Sequence, residues 1–179
     1  MQKAYDSVDR KILFWILRRR SKNSNESSLI SLIEKLHRDS VIEVGSSSLN
    51  AEMGLPQGSI LSPVLFNIYL EEALNSSEKL KQVRKRGDLL AFADDMLVMT
   101  SDRGELEHIV NELSSLSEKY NLRLNKKKSE ILTAEKEEEI GGIRCTKMVK
   151  YLGVKINADV KLQRKTAKEQ IYRNLNTLK

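Results

Sequence analysis

Leu89-Leu90-Ala91-Phe92-Ala93-Asp94-Asp95-Met96-Leu97-Val98-Met99 is the stretch on which the fold turns. Adjacent carboxylates repel each other and lose hydration in apolar surroundings, so an Asp-Asp pair between two apolar runs marks the tip of a hairpin. The flanks predict strands buried on at least one face, which hold the turn rigidly. Two acidic residues in a turn are most often solvated turn chemistry. A rigid acidic tip, by contrast, suits divalent cations, which take carboxylate and water oxygens as ligands.

Upstream of the hairpin, Gly54, Pro56 and Gly58 fit poorly in a helix interior, so residues 54–62 read as a loop, and Pro63 is placed to open a helix running to about residue 75. Downstream, Asp102 and Glu105 make a capping-box-like start to a helix over 102–120, with Leu106, Ile109, Val110, Leu113 and Leu116 facing inward. At the N-terminal end, Asp6 is the expected cap of a helix over 7–19, with Val8, Ile12, Trp15 and Ile16 as its apolar stripe and Arg18, Arg19 and Arg20 at its C-terminal end. A second helix over 27–37 is expected to bury Leu29, Ile33 and Leu36, and residues 41–44 and 49–53 form a hairpin.

Further strands are predicted at 122–124, 129–133, 143–146 and 149–156, and a basic helix from 158 to 179 carries Leu162, Ile171, Leu175 and Leu178. Strands separated by helices, with hairpins in place of regular crossovers, favour an α+β fold: an antiparallel sheet backed by helices.

Composition narrows the chemistry. With 179 residues the chain is long enough for one domain with a real core, and 31 Lys and Arg against 25 Asp and Glu favour a polyanionic partner. Cys145 is the only cysteine, which excludes a disulfide framework and a thiolate zinc cluster. His37 and His108, the only histidines, read as ordinary helix residues. No apolar run approaches the roughly 18 to 20 residues that cross a bilayer, so the expectation is a soluble, intracellular protein without a membrane partner, the nucleus being a compatible compartment.

Several segments, taken in order, resemble the palm of a reverse transcriptase, most like those of non-LTR (LINE-like) retrotransposons and, more distantly, group II intron maturases. Phe92-Ala93-Asp94-Asp95 resembles the family's aromatic-x-Asp-Asp signature, and Gly54-Leu55-Pro56-Gln57-Gly58-Ser59-Ile60-Leu61-Ser62-Pro63 its template and nucleotide loop. Leu122-Arg123-Leu124-Asn125-Lys126-Lys127-Lys128-Ser129 is similar to the next motif, and Lys150-Tyr151-Leu152-Gly153-Val154 to the element that holds the primer end. The implied fold is a right-hand polymerase palm over residues 1–157, with the start of a thumb, or a connecting basic helix, over 158–179.

The implied reaction is RNA-directed DNA synthesis, in which a primer 3′-hydroxyl attacks the α-phosphorus of a dNTP and two Mg²⁺ ions stand about 3.5 to 4 Å apart. The resemblance gives Asp94 and Asp95 as metal ligands and Lys128 as the lysine beside the leaving pyrophosphate. It also implies that Tyr5 lies under the incoming sugar and that Gly54, Pro56, Gln57 and Gly58 form the substrate loop. Tyr151, Leu152 and Gly153 position the primer on an RNA template. On their residue types alone, Tyr5 reads as core, 126–128 as a solvated turn and the Tyr-Leu-Gly strand as sheet core.

Ala4-Tyr5 matches the second half of the family's first motif, whose metal-binding aspartate stands four residues before the alanine. Counting back from Ala4 passes Met1, so the expectation is an N-terminally truncated palm, without fingers and most of the thumb, that is inactive by itself. Asp6 follows the aromatic residue and is expected to cap the helix instead. Two alternatives stand beside the polymerase: a non-catalytic fragment that binds RNA or primer-template, and a metal-dependent phosphohydrolase or cation-binding domain.

Overall fold

In the computed structural model, which describes residues 3–38, 41–44, 47–50, 53–136 and 138–159, the chain divides into two units at residue 124. The first begins with turns and then α1 (Arg10–Arg20), whose N-cap is Asp9, not Asp6: the Asp9 carboxylate accepts from the amides of Lys11 and Ile12 at 2.8 and 3.1 Å. The helix starts late because the backbone before it is engaged elsewhere. Gly54 N–H donates to Val8 O at 2.8 Å, Leu55 N–H donates to Tyr5 O at 2.9 Å, and Asp9 forms a bridge with Met53.

Leu13, Phe14 and Ile16 are buried along α1 and Ile12 half-buried, whereas Trp15, predicted to face inward, is 55% exposed. α2 (Ser24–Arg38) likewise buries Ile30 and His37 and half-buries Ile33, leaving Leu29 and Leu36 outside. Both stripes of α2 have helical spacing, so periodicity alone does not choose between them. Phe14 selects the second by packing edge-on against His37 at 5.9 Å.

β1 (Val41–Val44) and β2 (Ser47–Asn50) pair antiparallel, the second strand starting earlier than the expected 49–53. After the 54–61 loop comes α3 (Ser62–Asn75), with Pro63 in its first turn, where a missing N–H costs no helical hydrogen bond. Ser77 then caps α4 (Glu78–Lys85), a helix the sequence reading did not anticipate, which buries Leu80 and Val83. β3 (Leu89–Phe92) and β4 (Asp95–Val98) form the antiparallel hairpin, and α5 (Arg103–Tyr120) follows with Asp102 as its cap.

One core joins these elements. Phe66, Tyr69, Leu70 and Ala73 of α3 meet Leu13 and Ile16 of α1, Ile109, Leu113 and Leu116 of α5, and Leu89 of β3. Leu106 of α5 is only half-buried. Met96 and Val98 pack on this core from β4, while Leu90 and Phe92 are 46 and 65% exposed, so the hairpin is covered on one face.

In the second unit β5 (Glu130–Leu132) runs parallel to β7 (Ile143–Thr146), with β6 (Glu139–Ile140) antiparallel on the other side of β7. The strand expected over 149–156 is instead a hairpin of β8 (Met148–Tyr151) and β9 (Val154–Asn157), because Leu152 and Gly153 adopt φ of 46° and 84° and turn the chain back. Residues 122–124 form no strand, although Leu122 is fully buried. The fold is therefore α+β with small antiparallel sheets, as expected, plus one parallel pairing, β5 with β7. Beyond residue 159 the predicted basic helix lies outside the described residues. Among them, no helix is long and apolar enough to cross a membrane.

Candidate active site

The hairpin tip is the simplest part of the site. Phe92 and Asp95 are the last paired residues, so Ala93 and Asp94 form a two-residue turn, with Ala93 at a φ of 52°. Two-residue hairpin turns require positive φ at their first position, which is costly for a residue bearing a Cβ. Both Asp94 and Asp95 are exposed, so neither carboxylate carries a large desolvation cost.

Mg²⁺ is ordinarily held by one or two carboxylates together with waters and substrate phosphates, a donor set that adjacent, solvent-facing Asp94 and Asp95 fit. Among the described residues, no group of three or more His, Cys, Asp or Glu side chains is arranged to hold a metal. The donors present thus suit a metal shared with substrate rather than a closed protein cage.

The 54–61 loop is built differently. Gly54 has a φ of 81°, and a Cβ there would meet Asp6 Cα at 3.1 Å and Asp6 O at 3.2 Å, so glycine is needed for packing against this chain's own backbone as well as for conformation. The side chain of Arg10 is buried beneath it, where Nε donates to Gly54 O at 2.7 Å and Nη1 to His37 O at 2.6 Å. Burial lowers the Arg10 pKa from its usual value. On the far side, Ser62 Oγ donates to Pro56 O at 2.6 Å.

Held at both ends, the loop exposes Pro56, Gln57, Gly58 and Ile60. Gln57 Nε2 donates to Asp6 Oδ1 at 3.4 Å, which gives Asp6 a partner in the loop instead of the capping role expected of it. Tyr5 is half-buried and stacks on Phe66, ring centres 5.0 Å apart. Tyr5, Asp6, Gly54 and Gln57 are therefore one assembly, and Gly58, at a φ of 85° with open space around it, lies at its exposed turn.

Two further groups support the frame. Tyr69 Oη donates to Tyr120 O at 3.0 Å, and burial pushes its pKa up to about 12. Glu105, expected to complete a capping box, instead receives Lys79 Nζ at 2.6 Å, Thr100 Oγ1 at 2.6 Å and Arg86 Nη2 at 2.9 Å. The Lys79 hydrogen bond first, then those of Thr100 and Arg86, hold its pKa down at about 2. This cluster ties α4 and the end of the hairpin to α5.

The remaining predicted residues belong to the second unit. Lys128 sits in a turn with its side chain exposed, while the neighbouring Lys126 donates to Gly141 O at 2.9 Å. Tyr151 closes the β8–β9 hairpin opposite Val154, with Leu152 and Gly153 at its tip. Sequence reasoning missed Arg10 and Ser62. A cation in the first turn of a helix opposes the macrodipole, and that misplacement was the one available hint that Arg10 serves another purpose.

Comparison with known proteins identifies the family. The family model described as reverse transcriptase (RNA-dependent DNA polymerase) matches residues 1–156. Telomerase reverse transcriptase of Mus musculus is 27% identical over 122 residues, 68% of this chain and 11% of the relative, and that of Bos taurus is 30% identical over the same shares. The putative COX1/OXI3 intron 2 protein of Saccharomyces cerevisiae is 31% identical over 72 residues, 40% of this chain and 8% of the relative. The chain thus spans about a tenth of the length of these relatives. With the family model covering the hairpin, the 54–61 loop and the Tyr5 segment together, the chain belongs to the reverse transcriptase family.

Proposed function

We propose that this chain is the palm of an RNA-directed DNA polymerase of non-LTR type, with residues 1–157 as palm and 158–179 as the start of a thumb or a connecting basic helix. The strongest support is the assembly of Tyr5, Asp6, Gly54 and Gln57 in the same unit as the exposed Asp94–Asp95 turn. The family match ends at residue 156, beside the proposed boundary.

In this function Asp94 and Asp95 hold Mg²⁺ in the company of a dNTP. Bound there, the metal would polarise the primer 3′-hydroxyl and offset charge on the departing pyrophosphate. Gln57 presents its amide oxygen to the nucleotide because its nitrogen faces Asp6, and the Tyr5 ring forms the floor beneath the sugar. Lys128 neutralises the leaving group, and Tyr151, Leu152 and Gly153 position the primer. The partners are an RNA template, a DNA primer and the parts of a longer protein that complete the cleft.

A two-metal site needs more carboxylate than this pair, and the described residues offer no third member. We therefore place activity in a longer protein and expect the 179-residue chain alone to bind primer-template without extending it. A phosphohydrolase leaves the 54–61 loop without a role.

The test is extension of a DNA primer on an RNA template with Mg²⁺. The isolated chain should give negligible product, and a longer protein containing it should extend the primer and lose that activity on Asp94→Ala. Robust extension by the isolated chain would overturn the fragment assignment. Extension indifferent to Asp94→Ala would overturn the assignment of the metal site.

A further inference from the structure

Trp15 is the only tryptophan in the chain, and it faces solvent from the middle of α1. Cavities of about 460 Å³ and 350 Å³ open on two sides of it, the first lined by Lys11, Arg18 and Arg19 among others, the second by Lys11, Lys119 and Tyr120. The Arg19 guanidinium lies 4.6 Å from the centre of the indole ring. Asp94, Asp95 and the 54–61 loop line neither cavity.

The charge around the ring is uneven in a useful way. Arg18 is paired with Glu34 and Arg19 with Glu72. Lys11 and Lys119 are exposed and, among the described residues, have no carboxylate partner; Lys119 lies over the Tyr120 ring at 5.5 Å. An exposed indole is thus flanked by two ammonium groups that, among the described residues, have no carboxylate partner. An apolar protein surface seated here would strip water from those ammoniums without replacing it. A base stacked on the ring, with its phosphates beside Lys11 and Lys119, satisfies all three groups.

We propose that the Trp15 face of α1 binds single-stranded nucleic acid through base stacking on Trp15 and phosphate contacts to Lys11 and Lys119. A duplex keeps its bases stacked on one another, so only an unpaired strand can supply the base. The site stands apart from the polymerase assignment and holds or fails without it.

Because Trp15 alone emits as tryptophan, its fluorescence in the full chain reads this site directly. Titration with an oligo(A) RNA of about ten nucleotides should quench the emission, with affinity falling as salt rises from about 50 to 200 mM. Trp15→Ala, followed by anisotropy of a labelled oligonucleotide, should weaken binding about 5- to 150-fold, the equivalent of one stacked base. Trp15→Phe should recover part of that loss, Lys11→Glu with Lys119→Glu should flatten the salt dependence, and Asp94→Ala should leave quenching unchanged. Binding that leaves Trp15 emission unaltered, Trp15→Ala binding like the parent, or no binding at low salt would each overturn the proposal. A blue shift that grows with protein concentration alone, with a dimer in sedimentation, would overturn it in favour of a protein contact.

Discussion

The 54–61 loop and the 93–95 turn carry the proposed nucleotide and metal contacts, and they are held in opposite ways. The loop is tied to the rest of its unit by Arg10 beneath Gly54, by the Gly54 and Leu55 amides on Val8 and Tyr5, and by Ser62 on Pro56. The turn is backed by its own hairpin and by the core contacts of Met96 and Val98, with a non-glycine residue at positive φ and both carboxylates exposed. Substitutions in the loop's supports should therefore cost fold stability, whereas substitutions at the turn should cost chemistry and leave stability nearly unchanged.

Arg10→Ala should give the largest effect. It leaves the carbonyls of Gly54 and His37 without their guanidinium donor in a buried setting, and each orphaned group costs about 1 to 3 kcal/mol. Urea denaturation should show a loss of about 2 to 6 kcal/mol, and a loss below about 1 kcal/mol would break the contrast. Gly54→Ala should follow at about 2 to 3 kcal/mol, because its methyl meets the Asp6 backbone in a left-handed conformation that already costs about 1 to 2 kcal/mol. Hydrogen exchange at Leu55 in that variant should rise more than exchange in α5.

The expectations from sequence succeeded where a local rule was sufficient. Asp102 as a cap, Pro63 at the start of a helix, the apolar run of α5 and the Asp-Asp hairpin all follow from residues close together in the chain. They failed where a distant segment decided the outcome. Asp6 is a sound cap by type, but the pairing of residues 5–9 with 53–55 postpones the helix to Asp9. The spacing of Leu29 and Leu36 suits a buried stripe, yet Ile30 and His37 are the buried residues, His37 against Phe14 of another helix. The turn at Leu152 and Gly153 was hidden inside a run whose composition suits one continuous strand. Within the candidate site, the exposed Asp94, Gln57 and Gly58 were legible as motifs, while the buried Arg10 that supports their setting was not.

Acid should sharpen the contrast by a smaller amount. The folded-state pKa of Glu105 is held at about 2 against an ordinary 4.5, so its contribution is present above about 4.5 and is lost as pH falls toward 2. Its partners Lys79, Thr100 and Arg86 tie α4 and the end of the hairpin to α5. Amides of β4 should therefore gain exchange in that window before those of the 54–61 loop. In base the sign reverses for Tyr69, whose buried neutral hydroxyl loses its stabilising contribution as pH rises from about 10 through 12.

The smallest effects belong to the turn. Ala93→Gly should stabilise by about 0.5 to 1 kcal/mol by relieving positive φ at the tip. Asp94→Ala should change stability by no more than about 0.5 kcal/mol, as is usual for an exposed side chain. A large destabilisation by Asp94→Ala would make the aspartate a structural residue and remove the contrast.

The most direct test of the central claim is paramagnetic broadening of the backbone amides by Mn²⁺, used in place of Mg²⁺, with a dNTP present. Broadening should concentrate on Ala93 to Met96, extend to Gln57 and Gly58, and disappear in Asp94→Ala with Asp95→Ala. Broadening centred on other carboxylates, or unchanged in the double variant, would contradict the assignment of the Asp94–Asp95 turn as the metal seat.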